Sequence, residues 1–203
     1  MTARVPLADP RLEPIAEQVA AGERLSREDG LALFATNDLL GLGSIADAAN
    51  RRRHGDRVFF SANQHINPTN VCVLRNVCIF CSFARTPKEE GAYVRSVDEV
   101  LAEADAARGA PTKEFHIVGG LHPKMGLGYY TELIRRLRRQ HPEVHIKALT
   151  AVEIAHIARI EKRPIAEVLA ELRDAGLTSL PGGGAEVFGR AVRSTIADRK
   201  LAA

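Results

Sequence analysis

Long apolar runs are missing from this sequence. No stretch approaches the roughly 20 uninterrupted apolar residues that cross a bilayer, and the N-terminus has no basic region leading into an apolar core. Neither a membrane span nor a secretory leader is expected, and the expected location is the cytoplasm. Charge of one sign is also scarce: 28 Lys and Arg stand against 25 Asp and Glu, a net +3 over 203 residues. The basic residues are spread along helix-like stretches, so no footprint for nucleic acid is expected. Arg51-Arg52-Arg53-His54 and Arg135-Arg136-Leu137-Arg138-Arg139 read as solvated helix faces and partners of helix C-terminal dipoles. Fixed-period repeats and low-complexity segments are lacking too. With 45% hydrophobic and 26% charged residues, the chain has the composition of a folded protein rather than a disordered one.

Cysteine is rare, and its placement is informative. There are three, all between positions 72 and 81, an odd number that fits a disulfide framework badly in a reducing compartment. Metal binding is the natural alternative. Cys72, Cys78 and Cys81 form a C-x5-C-x2-C loop directly after the β-rich run His65-Ile66-Asn67. Three thiolates leave one iron of a 4Fe-4S cube without a protein ligand, open to a cofactor or substrate group. The competing reading is a structural zinc site completed by His65 or His116. Such sites usually pair two ligand knuckles distant in sequence, and no closely spaced Cys/His pair follows downstream.

The pattern along the chain predicts an α/β protein. Residues 12–21, 26–34 and 38–53 read as helices, the second opened by a Ser26/Asp29 capping pair. From Val58-Phe59-Phe60 onward, short β-rich runs alternate with amphipathic segments. A capping box, Ser96-Val97-Asp98-Glu99, opens a helix expected to end near Gly109-Ala110-Pro111. Strands are expected over 114–118, 145–149 and Ser179-Leu180, with helices over 129–139, 152–160 and 165–175 and a last one after Gly189. This gives an N-terminal helical segment, 1–56, and about four βα units over 57–203. A complete (β/α)8 barrel needs roughly 250 residues, so the expectation is the first half of a TIM-type barrel. The end at Lys200-Leu201-Ala202-Ala203 has no turn punctuation and reads as a truncation, with little turnover expected from these residues alone. A cysteine loop after the first strand would lie on the face where barrel active sites are built.

The loop, with Phe80 immediately before the last cysteine, resembles the radical S-adenosylmethionine (SAM) superfamily. The usual fingerprint there is C-x3-C-x2-C, so two further residues separate Cys72 from Cys78 in this chain. Residues 65–83, 117–123, 145–154 and 179–186 are similar to the aminofutalosine synthase family, whose relatives are the cyclic dehypoxanthine futalosine cyclases and the FO synthases. Val118 before Gly119-Gly120, and Lys147-Ala148-Leu149-Thr150, favour the synthases over those relatives.

The resemblance implies that Cys72, Cys78 and Cys81 ligate three irons and that SAM chelates the fourth. It implies Phe80 near the SAM adenine and Gly119-Gly120 near the methionyl amino group, the plainer reading of the glycines being a strand-to-loop turn. Glu186, after Gly182-Gly183-Gly184-Ala185, would approach SAM or be a solvated residue on a flexible turn. His122 would bind a substrate carboxylate or transfer a proton. Thr150 and Glu153 would face the pocket, Glu153 equally serving to open the next helix. The implied reaction joins SAM to the aromatic enol ether 3-[(1-carboxyvinyl)oxy]benzoate, giving aminofutalosine, methionine and released carboxylate in a route to menaquinone. An electron donor of flavodoxin or ferredoxin type would be the partner.

Overall fold

The structure is a computed structural model that describes residues 6–106, 112–184, 186–198 and 200. The chain divides into two compact units, Met1–Phe60 and Ser61–Ala203. The first holds three helices, α1 (Leu12–Ala21), α2 (Arg27–Ala35) and α3 (Leu39–His54). Their ends follow local chemistry. Gly22 takes a left-handed φ of 83° and stops α1, and Ser26 and Asp29 exchange the two bonds of a capping box at α2. The Asp38 carboxylate accepts from Gly41 N–H at the start of α3 and from Ala8 N–H. Leu12, Ile15 and Ile45 form the small core of this unit.

The second unit is built on three parallel strands, β1 (Asn63–Ile66), β2 (Glu114–Ile117) and β3 (His145–Ala148), in that order across the sheet. Five helices accompany them: α4 (Val97–Asp105), α5 (Leu127–Gln140), α6 (Ala151–Glu161), α7 (Ile165–Ala175) and α8 (Arg190–Ile196). Alternate strand residues point to opposite faces. Ile66, Phe115, Ile117, Ile146 and Ala148 pack with helix residues such as Leu101, Leu133, Leu137, Ile157 and Leu172 in one core. Each fully buried Leu, Ile or Phe contributes about 1.5–3 kcal/mol there. The opposite face carries polar side chains.

Three expectations need correction. Val58-Phe59-Phe60 is not a strand: pairing begins at Asn63, opposite Glu114, and all three side chains are exposed. An apolar β-prone run forms no strand without a neighbour to bond. Ser179-Leu180 makes only a single parallel bridge, Ser179 to Lys147. Pro181 has no N–H for a ladder, and Gly183 and Gly184, at φ 111° and 133°, turn the chain away. Helix α4 ends at Asp105, before the expected stop; Gly109-Ala110-Pro111 lie outside the described residues, as do Ala185 and the Leu201-Ala202-Ala203 end. Among the described residues no helix is long and apolar enough to cross a membrane.

Candidate functional site

The segment after β1 is fixed before the cysteines begin. Asn70, buried, accepts from Tyr93 N–H (2.9 Å) and donates to the Gly91 carbonyl (2.9 Å). The Thr69 hydroxyl donates to the Tyr93 carbonyl (2.7 Å) and accepts from Val71 N–H. Cys72 N–H then donates to Arg85 O (3.0 Å), and Val73 N–H to Leu121 O (3.0 Å). Across the loop, the Arg75 guanidinium grips Glu89 (2.8 Å) and holds its carboxyl at about 2.

Between the cysteines the chain advances by tight turns. Arg75 N–H bonds Cys72 O, Val77 and Cys78 N–H bond Leu74 O, and Cys81 N–H bonds Cys78 O. Asn76 takes a left-handed φ of 71°, a conformation Asn tolerates better than most residues. The longer C-x5-C spacing is thus coiled into a turn, and Cys72, Cys78 and Cys81 line one cavity of about 210 Å³ with Phe80, Phe83 and Val118.

The other walls of the cavity come from the ends of β2 and β3. Gly119 and Gly120 follow β2, and their lack of a side chain has a definite cause: a Cβ on Gly120 would stand 2.3 Å from Val71 O, and one on Gly119 2.9 Å from Thr69 O. Gly120 N–H donates to Thr69 O at 2.8 Å. The glycines therefore seat the cysteine-loop backbone, besides lining the cavity.

Glu153 is the buried carboxylate that joins these walls. It closes a capping box with Thr150 at the start of α6, its Oε2 accepting from Thr150 N–H (2.7 Å) and Oγ1 (2.6 Å). Its Oε1 accepts from Gly119 N–H (2.9 Å). Burial pushes its carboxyl up, opposed by these same bonds. Both oxygens accept, so an amide would set its NH2 against a backbone N–H. Glu153→Gln is expected to cost about 1–3 kcal/mol, read as a fall in the urea midpoint at unchanged slope.

Phe80 lines the cavity, with the Lys200 ammonium 5.5 Å above its ring centroid. Lys200 also lines the cavity and is ion-paired with Glu186, which stands behind it. Burial pushes the Cys78 thiol up, countered by Lys200. His122 is turned elsewhere: it lines a groove with Arg95, Ser96 and Tyr129, and its Nδ1 accepts from Lys124 N–H (3.1 Å). Buried His156 donates from Nε2 to the His122 carbonyl (2.9 Å) while its Nδ1 accepts from Arg159 (2.8 Å). The sequence places His122 next to Gly120-Leu121; in the structure Leu121 lines the cysteine cavity, whereas His122 lines the groove.

The donor set fits an iron–sulfur cluster with one open iron. All three thiols are free and partly exposed; among the described residues no fourth Cys and no His lines the cavity, and the oxygens of Glu153 are taken by Thr150 and Gly119. Zinc fits less well. A structural zinc site takes four Cys or His ligands, and the cavity lining offers three cysteines and no His. His65 and His116 stack against each other, ring centroids 5.1 Å apart, and neither lines the cavity.

The family model of the Radical SAM superfamily matches residues 66–196. This chain belongs to the radical SAM superfamily. Members of that superfamily use a 4Fe-4S cluster and SAM. Among curated proteins, this radical SAM chain is 44% identical to an aminodeoxyfutalosine synthase of Thermus thermophilus over 97% of its own length and 52% of the relative's. It is 45% identical to an aminodeoxyfutalosine synthase of Streptomyces coelicolor over 91% of its length and 47% of the relative's. The cyclic dehypoxanthine futalosine synthase of Streptomyces coelicolor is 34% identical over 93% of the chain and 48% of the relative. The chain spans about half the length of the curated relatives it matches. The crystal structure of methylornithine synthase (PylB) superposes with a TM-score of 0.68 at 19% identity, over 92% of this chain and 52% of that one, a likeness of fold.

Proposed function

We propose that this chain carries the cluster- and SAM-binding part of an aminodeoxyfutalosine synthase, acting on 3-[(1-carboxyvinyl)oxy]benzoate in menaquinone biosynthesis. The supporting observation is the 44–45% identity to two such synthases, against 34% to the cyclic dehypoxanthine futalosine synthase. Parallel order β1-β2-β3 with cavity walls at all three strand ends supports reading residues 57–203 as the first half of a TIM-type barrel, preceded by the helical segment 1–56.

When bound, the reduced cluster and SAM together supply a 5′-deoxyadenosyl radical. Cys72, Cys78 and Cys81 hold the three ligated irons. Phe80 offers an aromatic face at the cavity mouth, and the Gly119-Gly120 backbone a close wall for the methionyl end. Glu186 anchors Lys200, so its part in SAM binding runs through that ammonium. His122, in the groove with Arg95, Ser96 and Tyr129, would serve the substrate, binding its carboxylate or transferring a proton, and not the cluster. An external flavodoxin- or ferredoxin-type protein supplies the electron.

Anaerobic reconstitution with iron and sulfide tests the reading. The expected product is a brown protein with broad visible absorbance that forms 5′-deoxyadenosine slowly from SAM under dithionite, and only a little aminofutalosine once the enol ether is added, as befits a chain of about half its relatives' length. A colourless protein would sink the cluster assignment. 5′-Deoxyadenosine without aminofutalosine would leave the superfamily chemistry but not the substrate.

A further inference from the structure

The polar face of the sheet is organised in rows. Strand pairing sets His65 beside His116, His116 beside Lys147, and Lys147 beside Ser179. The row below holds Asn63, Glu114 and His145. A barrel interior is ordinarily filled with Val, Ile and Leu; here the inward-type positions are imidazoles, an ammonium and a carboxylate. His116 stands two residues before Val118 of the cysteine cavity on the same strand face, about 7 Å along the strand. The row is therefore the layer directly beneath the cavity.

Its donors are only partly used. The Lys147 ammonium is ion-paired with Glu114 Oε1 at 2.6 Å, and an ammonium carries three donors. His65 Nε2 lies 3.1 Å from Asn67 Nδ2, which donates to it and so places the His65 proton on Nδ1. Neither ring nitrogen of His116 has a hydrogen-bond partner among the described residues. Burial, Lys147 and His65 hold the His116 ring below its usual value, against Glu114, so it stands as a neutral donor. In the row below, His145 Nε2 is taken by Ser179 Oγ at 2.7 Å.

We propose that His65, His116 and Lys147 form a carboxylate-binding row, which receives one acid group of an aromatic acid whose reacting end lies above it in the cysteine cavity. The identity of that acid rests on the function proposed above; the anion site itself does not. Lys147 supplies the charge, and His65 and His116 supply directional N–H donors. Glu114 is the built-in competitor, occupying Lys147 until a ligand carboxylate shares it.

Competition makes the test two-signed. Isophthalate is the probe and neutral isophthalamide the control, titrated into the reconstituted, SAM-loaded, unreduced protein and followed by calorimetry. Glu114→Gln, which frees Lys147, is expected to tighten isophthalate binding several-fold. The double variant Glu114→Gln/Lys147→Gln removes the pair together without stranding either charge, and is expected to weaken it about tenfold, the factor one hydrogen bond to a charged group supplies. Isophthalamide should respond to neither. Equal affinity of wild type and both variants, or no isophthalate binding by wild type, would overturn the proposal. Formation of 5′-deoxyadenosine is assayed alongside: its loss in wild type would count against the proposed function, and its retention without isophthalate binding against the row alone.

Discussion

Cys78→Ser is expected to leave a colourless protein after reconstitution, with iron content and dithionite-dependent 5′-deoxyadenosine formation each down by at least about a hundredfold. Changes to residues that merely orient a metal ligand cost 10–100-fold in affinity or activity, and loss of a ligand itself should reach or exceed the top of that range. Cys78 is the middle of the three cysteines. The turn bonds that reach it from Leu74 and leave it toward Cys81 define the loop, so the substitution removes a thiolate without moving its neighbours. Serine keeps the shape and the free thiols Cys72 and Cys81 but cannot match a thiolate for iron. His122→Asn is the informative comparison. With its ring in the groove of Arg95, Ser96 and Tyr129, it should leave both iron content and 5′-deoxyadenosine unchanged. If His122→Asn lost the cluster as Cys78→Ser does, the assignment of cavity and groove would be reversed. If Cys78→Ser retained full iron and colour, the three-cysteine site would be wrong.

What the sequence discloses about this fold is what short-range chemistry decides. Ser26 with Asp29 and Ser96 with Glu99 announce helix starts because both partners of a capping box lie within one turn. Pro164 before α7 and Gly176 after it mark a helix whose limits are those the pattern predicts. The cysteine cavity is legible for the same reason, as its three thiols share a ten-residue loop. Long-range placement is not. Glu153 advertises its capping bond to Thr150, three residues away, but nothing local announces Gly119, 34 residues away. Phe59 and Phe60 look like strand residues because propensity carries no information about a missing neighbour. Adjacency does not tell where the His122 ring goes: Leu121 is buried and its carbonyl tied to Val73, and His122 lines the groove of Arg95, Ser96 and Tyr129.

Gly120 allows a sharper test of what the paired glycines do. A methyl group at this position would meet Val71 O at 2.3 Å, Val71 C at 2.7 Å and Asn70 C at 3.0 Å, all of them backbone, so no flexible side chain can move aside. Gly120→Ala must push the cysteine-loop backbone off the end of β2, stretching the Gly120 N–H to Thr69 O bond. Forcing a methyl into a packed site costs about 1–3 kcal/mol, and here the displaced segment leads directly into Cys72. The metal-free protein is therefore expected to lose that much stability in a urea titration, and reconstitution to yield substantially less bound iron. Gly182→Ala, where an added Cβ meets nothing within 4 Å, should stay within about 0.5 kcal/mol of wild type. The order of effects separates two roles. A glycine needed only to make room for SAM would leave metal-free stability untouched and weaken SAM binding alone. A glycine that seats the loop lowers stability before any cofactor is present, and that is the outcome the Val71 contact requires.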